Sequence, residues 1–323
     1  MKDPNHAELW GHVHWLTVLA QQGSYTAAAT RLGVSKAAMS QRIADLERMA
    51  GITLVQRTTR SVRLTEAGQR LVDQTRASFE QIEQSFAQVR DLAGSPQGLL
   101  RITAPVALAR QQLVPHLAGF LRRHPEVRLE LDMSDRLVNL ATEGFDLAVR
   151  HTSTPPDTHV ASTLCSTRSV LVASKAYLRR TGTPKAPADL ANHNCLHYPR
   201  GHDIPAWTLE RATNAALPER ITLQVHGALA ANNSEALRDA ALSGLGIALL
   251  PDFSAQAALD SGRLVTVLPD WKPVGSFADH IYAIRPYSAH TPLAVRALVT
   301  YLRSAFAGGF SPTEDGQKPT QAT

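Results

Sequence analysis

Lys36, Ser40 and Gln41, with the small Ala37 among them, stand close together inside SYTAAATRLGVSKAAMSQRIADLER at residues 24–48. An ammonium, a hydroxyl and a carboxamide on one helical face offer donors and acceptors that suit base edges in a DNA major groove, and an alanine beside them permits close approach. Such residues need a helix to hold them. Ser35 is a capping residue, and Met39, Ile43 and Leu46 follow at steps of four and three, so an apolar stripe anchors the helix while its start stays polar. Ahead of it, Ser24 caps a first helix whose Ala27–Ala29 run and Leu32 pack closely, Gly33 supplies the reversal, and Val34 plugs the corner. Two short helices joined by a tight turn are the reading; for this stretch by itself the alternative is a plain helical hairpin.

The flanks add to it. In LWGHVHWLTVLA, Val13, Leu16 and Leu19 recur at helical intervals beside Trp15 and would complete a three-helix core. In GITLVQRTTRSVRLTEAG, Ile52, Leu54 and Val55 start a strand, and Arg57, Arg60 and Arg63 recur every three residues with no acid between Gly51 and Thr65. That spacing suits a wing whose cations meet phosphates or a narrow minor groove, the alternative being a solvated basic loop. Residues 1–63 carry eight Lys or Arg against four Asp or Glu, so the excess of positive charge falls where DNA contact is expected.

The pattern GSYTAAATRLGVSKAAMSQRIADLE, followed by a hydrophobic strand, QRTTRSVRLTEAG and a long helix, resembles the DNA-binding end of a LysR-type transcriptional regulator over residues 9–92. It departs from the commonest family pattern at Lys36, Ala37, Gln41 and Arg42, the positions that set specificity, so no operator sequence is carried over. Ser35, Lys36, Ala37, Ser40, Gln41, Arg42, Arg57, Arg60 and Arg63 are the candidate contacts to double-stranded DNA.

Residues 64–92 hold three Arg against five acids and are not built to bind phosphate. Gly68, Val72, Thr75, Phe79, Ile82, Phe86 and Val89 follow alternating steps of four and three, the repeat of a coiled-coil seam, and Thr65 and Glu66 favour a helix start. Val72, Thr75, Phe79, Ile82, Phe86 and Val89 are therefore candidate dimerisation residues; the alternative is an amphipathic helix packing on its own domain. A two-fold dimer would present paired recognition helices to a roughly palindromic site.

AGSPQG at 93–98 reads as a hinge, after which strand-like and helical segments alternate, implying a parallel sheet with right-handed crossovers. Strands are expected over 99–103, 127–133, 146–150, 170–173, 221–225 and 246–250. Helices are expected over 106–124, interrupted near Pro115, and over 136–142, from near Lys175, and over 234–242. LLRITAP, FLRRHPEVRLEL, EGFDLAVR, VLVASKAYLRRTGTPKAPADL and EALRDAALSGLGIALLP extend the family resemblance to residue 306. The resemblance implies a multidomain α/β chain: a winged helix-turn-helix over 1–64, a linker helix over 65–92, and over 93–306 a two-lobed α/β effector domain similar to periplasmic binding proteins. Residues 307–323 are expected to be a tail with almost nothing to bury.

Small ligands of such sheets bind beyond the carboxyl ends of strands, beside helix N-termini. This selects Thr103, Ala104, Pro105 and Val106, then Arg150, His151 and Thr152, then Tyr198 and Arg200, and finally Asn232, Asn233 and Ser234. Arg150 and Arg200 suit a carboxylate, with Thr103, Thr152 and Ser234 orienting it, so a small anionic effector is expected. For the arginines the alternative is a salt bridge, and for Asn232–Ser234 it is capping alone.

Other chemistries fall away. Leu249 stands where a dinucleotide fingerprint after Gly244 and Gly246 would need a third glycine, and there is neither a GxSxG elbow nor a GxxxxGK loop. Neither His12 with His14 nor His193 with His197 has a third ligand at a metal-site spacing, so no metal and no cofactor are expected. No run of eighteen apolar residues suggests a membrane span, and MKDPNHAELWGH lacks the apolar centre of a secretory signal, so a cytoplasmic location is expected. A ligand-responsive regulator acting as a homodimer or homotetramer is the leading reading. A thiol switch using Cys165 and Cys195 and an enzyme with a DNA-binding appendage are the alternatives.

Overall fold

In a computed structural model the described residues are 6–57, 62–92, 94–136, 138–199, 204–211, 219–288 and 290–310. The chain folds as two compact units, the first of residues up to 95 with the short stretch 141–144 and the second of the rest from 96 onward. The first contains α1 His6–Gln22, α2 Tyr25–Leu32, α3 Lys36–Ala50, the antiparallel pair β1 Val55–Arg57 and β2 Val62–Leu64, and α4 Glu66–Asp91.

Local chemistry accounts for the ends of these helices. Ser24 and Ser35 accept hydrogen bonds from the N–H groups of Ala27 and Ala38, 3.1 and 3.0 Å away, and Gly33 sits at φ +67°, where a side chain would be strained. Val13, Leu16 and Leu19 of α1, Ala28 and Ala29 of α2, and Met39, Ile43 and Leu46 of α3 meet Leu54, Val55 and Val72 in one core. Glu47 then clamps the wing, its carboxylate accepting from the N–H groups of Leu54 and Val55 at 2.8 and 3.0 Å.

From residue 96 onward the chain runs through β3 Gly98–Ala104, α5 Val106–Leu108, a π-helical turn at Ala109–Leu113, α6 Val114–Arg123, β4 Val127–Met133, α7 Leu140–Glu143, β5 Leu147–His151 and β6 His159–Ser166. The chain crosses to a second lobe with β7 Ser169–Ser174, α8 Lys175–Thr181, a 3-10 turn at Pro187–Asn192, β8 Cys195–Leu196, β9 Ala206–Arg211, β10 Arg220–Gln224, α9 Ser234–Leu242, β11 Ile247–Pro251, α10 Asp252–Asp260, β12 Leu264–Thr266 and β13 Trp271–Val274. It then returns as β14 His280–Pro286 and α11 Leu293–Ala305. One lobe is built on a sheet of order β4-β3-β5-β14-β6, the other on β12-β7-β11-β8 with a small sheet β10-β9-β13. Leu100, Ile102, Phe120, Leu147, Ile281, Leu298 and Phe306 fill the first lobe. The central β7 and β11 of the second are buried along their whole length.

Several expectations require correction. The sheets are mixed: β3 pairs in parallel with β4 and β5, whereas β14 runs antiparallel to β5 and β6, and β11 antiparallel to β7. Two crossings between lobes cause this for the first sheet, because β14 re-enters it from the opposite direction. The helix expected over 136–142 is the single turn Leu140–Glu143. The break expected near Pro115 is a π turn just before it, which shifts the hydrogen-bond register where proline lacks its N–H. Finally, the core does not stop at residue 306: Phe310 is buried against Phe253 and Phe306. Residues 311–323 lie outside the described residues.

Candidate functional site

The start of α3 carries the candidate base-reading residues as expected from their spacing. Lys36, Ala37 and Gln41 are exposed and Ser40 half-buried, while Met39, Ile43 and Leu46, on the other side, are fully enclosed. Ser35 stands at the tip as the N-cap. Arg42 is exposed as well, but its Nη1 meets His12 Nε2 at 3.1 Å and its guanidinium lies over the Trp15 ring, so it also braces α3 on α1. Its position between Met39 and Ile43, at the edge of the inward stripe, explains this. Arg63 is exposed on β2, opposite Gln56 of β1. Arg57 lies at the end of β1; its side chain and the whole of Arg60 lie outside the described residues.

Along α4 the heptad divides into two halves. Val72 is 4% exposed within the winged-helix core, Phe79 packs on that core with its ring 5.1 Å from His14, and the Thr75 hydroxyl donates to Leu71 O at 2.7 Å. A Cβ on Gly68 would lie 2.1 Å from Leu54 O, so glycine there serves close approach to the unit's own backbone. Val72 and Gly68 thus leave the expected seam, because the first turns of α4 are needed to close the core. Ile82, Phe86 and Val89 remain 62, 64 and 62% exposed, a stripe flanked by Ser78, Gln81 and Ser85.

The second candidate site lies between the two lobes of the second unit. Arg150, at the end of β5, is buried, and its Nη1 donates to Ser134 O at 2.8 Å while Nη2 donates to Thr103 Oγ1 at 3.1 Å and Arg136 O at 3.3 Å. Burial lowers its pKa, with the carboxylates of Asp135 and Asp132 acting against that shift. Three of the five guanidinium N–H donors are thus spent on the 134–136 turn and Thr103. Val106 N–H is likewise taken, by Asp135 Oδ1 at 3.2 Å, and the Thr152 hydroxyl turns onto Thr154 O at 3.3 Å. Thr103 and Ala104 are enclosed, and Pro105 caps α5 without a side-chain bond.

Facing them is an aromatic cluster. His151 donates from Nε2 to Ala278 O at 2.6 Å, stacks on Phe277 and meets Phe253 edge-on, and burial holds its pKa below the usual imidazole value. Tyr198 meets Phe277 edge-on at 5.0 Å, and its hydroxyl bonds with the side chain and backbone of Ser234. Burial, with a lesser contribution from Asp135, pushes the phenol up to about 12. His197, Tyr198, Pro205, Trp207, Leu249 and Phe277 enclose a cavity of ≈20 Å³, room for about one water in this conformation. Asn232 is exposed, and Asn233 is occupied in capping α9, accepting from Glu235 N and Ala236 N at 2.9 and 3.2 Å. Arg200 lies outside the described residues.

Residues 10–69 match the bacterial regulatory helix-turn-helix protein of the lysR family, and residues 93–307 match the LysR substrate binding domain. The chain belongs to the LysR-type transcriptional regulators. Among members of this family it is 36% identical over 301 residues to the HTH-type transcriptional regulator PtxR of Pseudomonas aeruginosa, covering 93% of each chain. It is 32% identical to the regulator DmlR of Escherichia coli, covering 94% of this chain and 96% of DmlR. Full-length AphB of Vibrio cholerae matches with a TM-score of 0.61 at 26% identity, over 91% of this chain and 98% of AphB. CrgA of Neisseria meningitidis gives 0.57 at 25% identity, over 91% and 98% of the two chains.

The family is one of regulators and not of enzymes, which sets aside the enzymatic alternative. The LysR-type domain also separates its cysteines. Cys165 is buried in the core of the first lobe and Cys195 in that of the second, and burial pushes each thiol up to about 12, far from a reactive thiolate. No helix among the described residues is long and apolar enough to cross a membrane. Trp207, Ser254, Phe277 and Gln111 are additions that the sequence reading misses. Phe277 and Trp207 carry a legible signal, being aromatic residues beside turn-forming Gly275–Ser276 and Pro205. Gln111 carries none.

Proposed function

We propose that this LysR-type regulator binds a roughly palindromic promoter site as a dimer or dimer of dimers, in the cytoplasm where that DNA is, and that a small effector between its lobes controls it. The division into DNA-binding residues 1–64, a linker helix over 65–92 and an effector domain from 93 onward follows from the same reading. The observation that carries it is the start of α3, where Lys36, Ala37 and Gln41 are exposed on a helix otherwise pinned by Met39, Ile43 and Leu46. Exposed Ile82, Phe86 and Val89 support self-pairing through the second half of α4. Footprinting on the promoter region beside the gene, with wild type and Gln41→Ala, tests the DNA reading. An unchanged ratio of operator to random-DNA binding in the variant would remove α3 as the reader.

For the effector, the geometry favours the wall formed by Tyr198, Phe277 and Ser234 facing Ala104–Val106. Arg150 orders the 134–136 turn beside this wall, and Arg200 is the second arginine proposed to hold an anionic effector. The ≈20 Å³ cavity beside Tyr198 is lined by second-lobe residues and by Phe277, which stacks on His151 of the first lobe, so a ligand larger than water enters it by shifting Tyr198 or Phe277. Ligand binding would thereby select one closure of the two lobes and change the spacing of the paired recognition helices. A thermal-shift screen of small carboxylic acids against wild type and Arg200→Ala tests this, since a specific ligand raises Tm by mass action.

A further inference from the structure

Gln41 is the one carboxamide on the exposed start of α3, and a free carboxamide reads bases poorly because it can turn either its oxygen or its nitrogen to the groove. Here that freedom is restricted. Gln41 Nε2 donates to Asp45 Oδ1 at 3.0 Å, one helical turn on, and the same Oδ1 is bound by Arg48 Nη2. A carboxylate only accepts hydrogen bonds, so it engages the NH₂ end of the amide and rejects the oxygen. The three residues form a row, with steps of four and three, on the helix face that begins at exposed Ala37.

We propose that Asp45 is a positioning residue that fixes the orientation of the Gln41 amide, so that Gln41 reads an adenine in the major groove. With one amide hydrogen committed to Asp45, the carbonyl oxygen and the second amide hydrogen remain side by side, matching the N6–H donor and N7 acceptor of adenine. Arg48 completes the device by cancelling the carboxylate charge, which would otherwise face phosphates across the groove. Its hydrogen bond, aided by that of Gln41, holds the Asp45 carboxyl below the usual carboxylate range, so Asp45 stays an acceptor. This rests on α3 being the recognition helix.

Binding-site selection from a pool of random-sequence duplexes, with full-length wild type, Gln41→Ala, Asp45→Asn and the double variant, tests it. Asp45→Asn keeps size and solvent exposure but can accept or donate, so it no longer rejects the amide oxygen; the pair is exposed and contributes little to folding. Wild type should prefer adenine at one position of each half-site by about fivefold or more, a preference that Gln41→Ala abolishes. Asp45→Asn should weaken the preference at that same position and should have no further effect in the Gln41→Ala background. The inference is overturned if Asp45→Asn leaves the ratio intact, acts at another position, or acts equally with and without Gln41. A selected site whose preferences Gln41→Ala changes while Asp45→Asn does not would overturn the positioning role and leave α3 as the reader. A wild type that selects no site would overturn both.

Discussion

Ser254 Oγ donates to Ser234 Oγ at 2.9 Å, both side chains being enclosed. This bond joins the start of α10 to the start of α9 and is the centre of a longer chain. Gln111 Nε2, on the π-helical turn of the other lobe, donates to Ser254 Oγ at 3.3 Å, and Ser234 in turn bonds to the Tyr198 hydroxyl in the pocket. Gln112 Nε2 donates to Phe253 O at 2.8 Å and Arg110 pairs with Glu235 at 3.3 Å, so the same turn holds the second lobe at three points. The inter-lobe grip and the pocket wall therefore share polar partners.

Ser234→Ala should leave Ser254 and Tyr198 without their shared partner and lower stability by about 1–3 kcal/mol. Urea unfolding of the full chain measures this. The effector response should fall as well, since Tyr198 loses its link to the π turn. A variant with unchanged stability and response would show that water replaces the hydroxyl.

Arg150→Met should destabilise the protein by about 1–3 kcal/mol whether or not effector is present, because Ser134 O, Arg136 O and Thr103 Oγ1 lose their buried donor. Thermal unfolding decides it. Arg150→Lys should recover only part of the loss, since a point-like ammonium cannot reproduce the fork. A drop confined to ligand affinity, with Tm intact, would leave Arg150 a ligand contact alone.

On α4 the two halves of the heptad should respond differently. An Ile82→Glu, Phe86→Glu double variant should sediment as a smaller species at unchanged thermal stability of the winged helix, whereas Val72→Ala should cost about 0.5–3 kcal/mol without first dissociating the assembly. Analytical ultracentrifugation and calorimetry separate the two. Full assembly in the double variant would place the interface elsewhere.

Burial lowers the pKa of His14, His116 and His151 from 6.5. Each is more readily protonated when unfolded, so the unfolded chain binds more protons between the lowered folded values and 6.5. Stability should therefore rise with pH through that window and be lost as pH falls through it. Unfolding curves from about pH 5.5 to 7.5 measure the slope, and His151→Phe should reduce it. A slope of the opposite sign would mean that carboxylates dominate.

Cys165 and Cys195, each pushed up to about 12 by burial, should resist thiol reagents in the native protein and react together on unfolding. Rapid native labelling of either would revive the thiol switch.

Local chemistry is sufficient for much of this protein. Ser24, Ser35 and Gly33 delimit α2 and α3 through contacts within a few residues, and the Met39–Ile43–Leu46 stripe determines which face of α3 points outward, so the recognition helix is legible in the residues themselves. Periodicity does not say which neighbour an apolar residue meets. Val72 and Phe79 fit a coiled-coil repeat as well as a core, and the winged helix takes both. Partners of long polar side chains are equally hidden: Arg42 bonds thirty residues back to His12, and Arg150 forty-seven residues back to Thr103. Strand direction belongs to the same class, because β14 runs antiparallel only as a result of a return from the second lobe. A capped helix end depends on atoms a turn away. A buried fork of donors takes whatever acceptors the fold brings to it, and only the tertiary structure determines what those are.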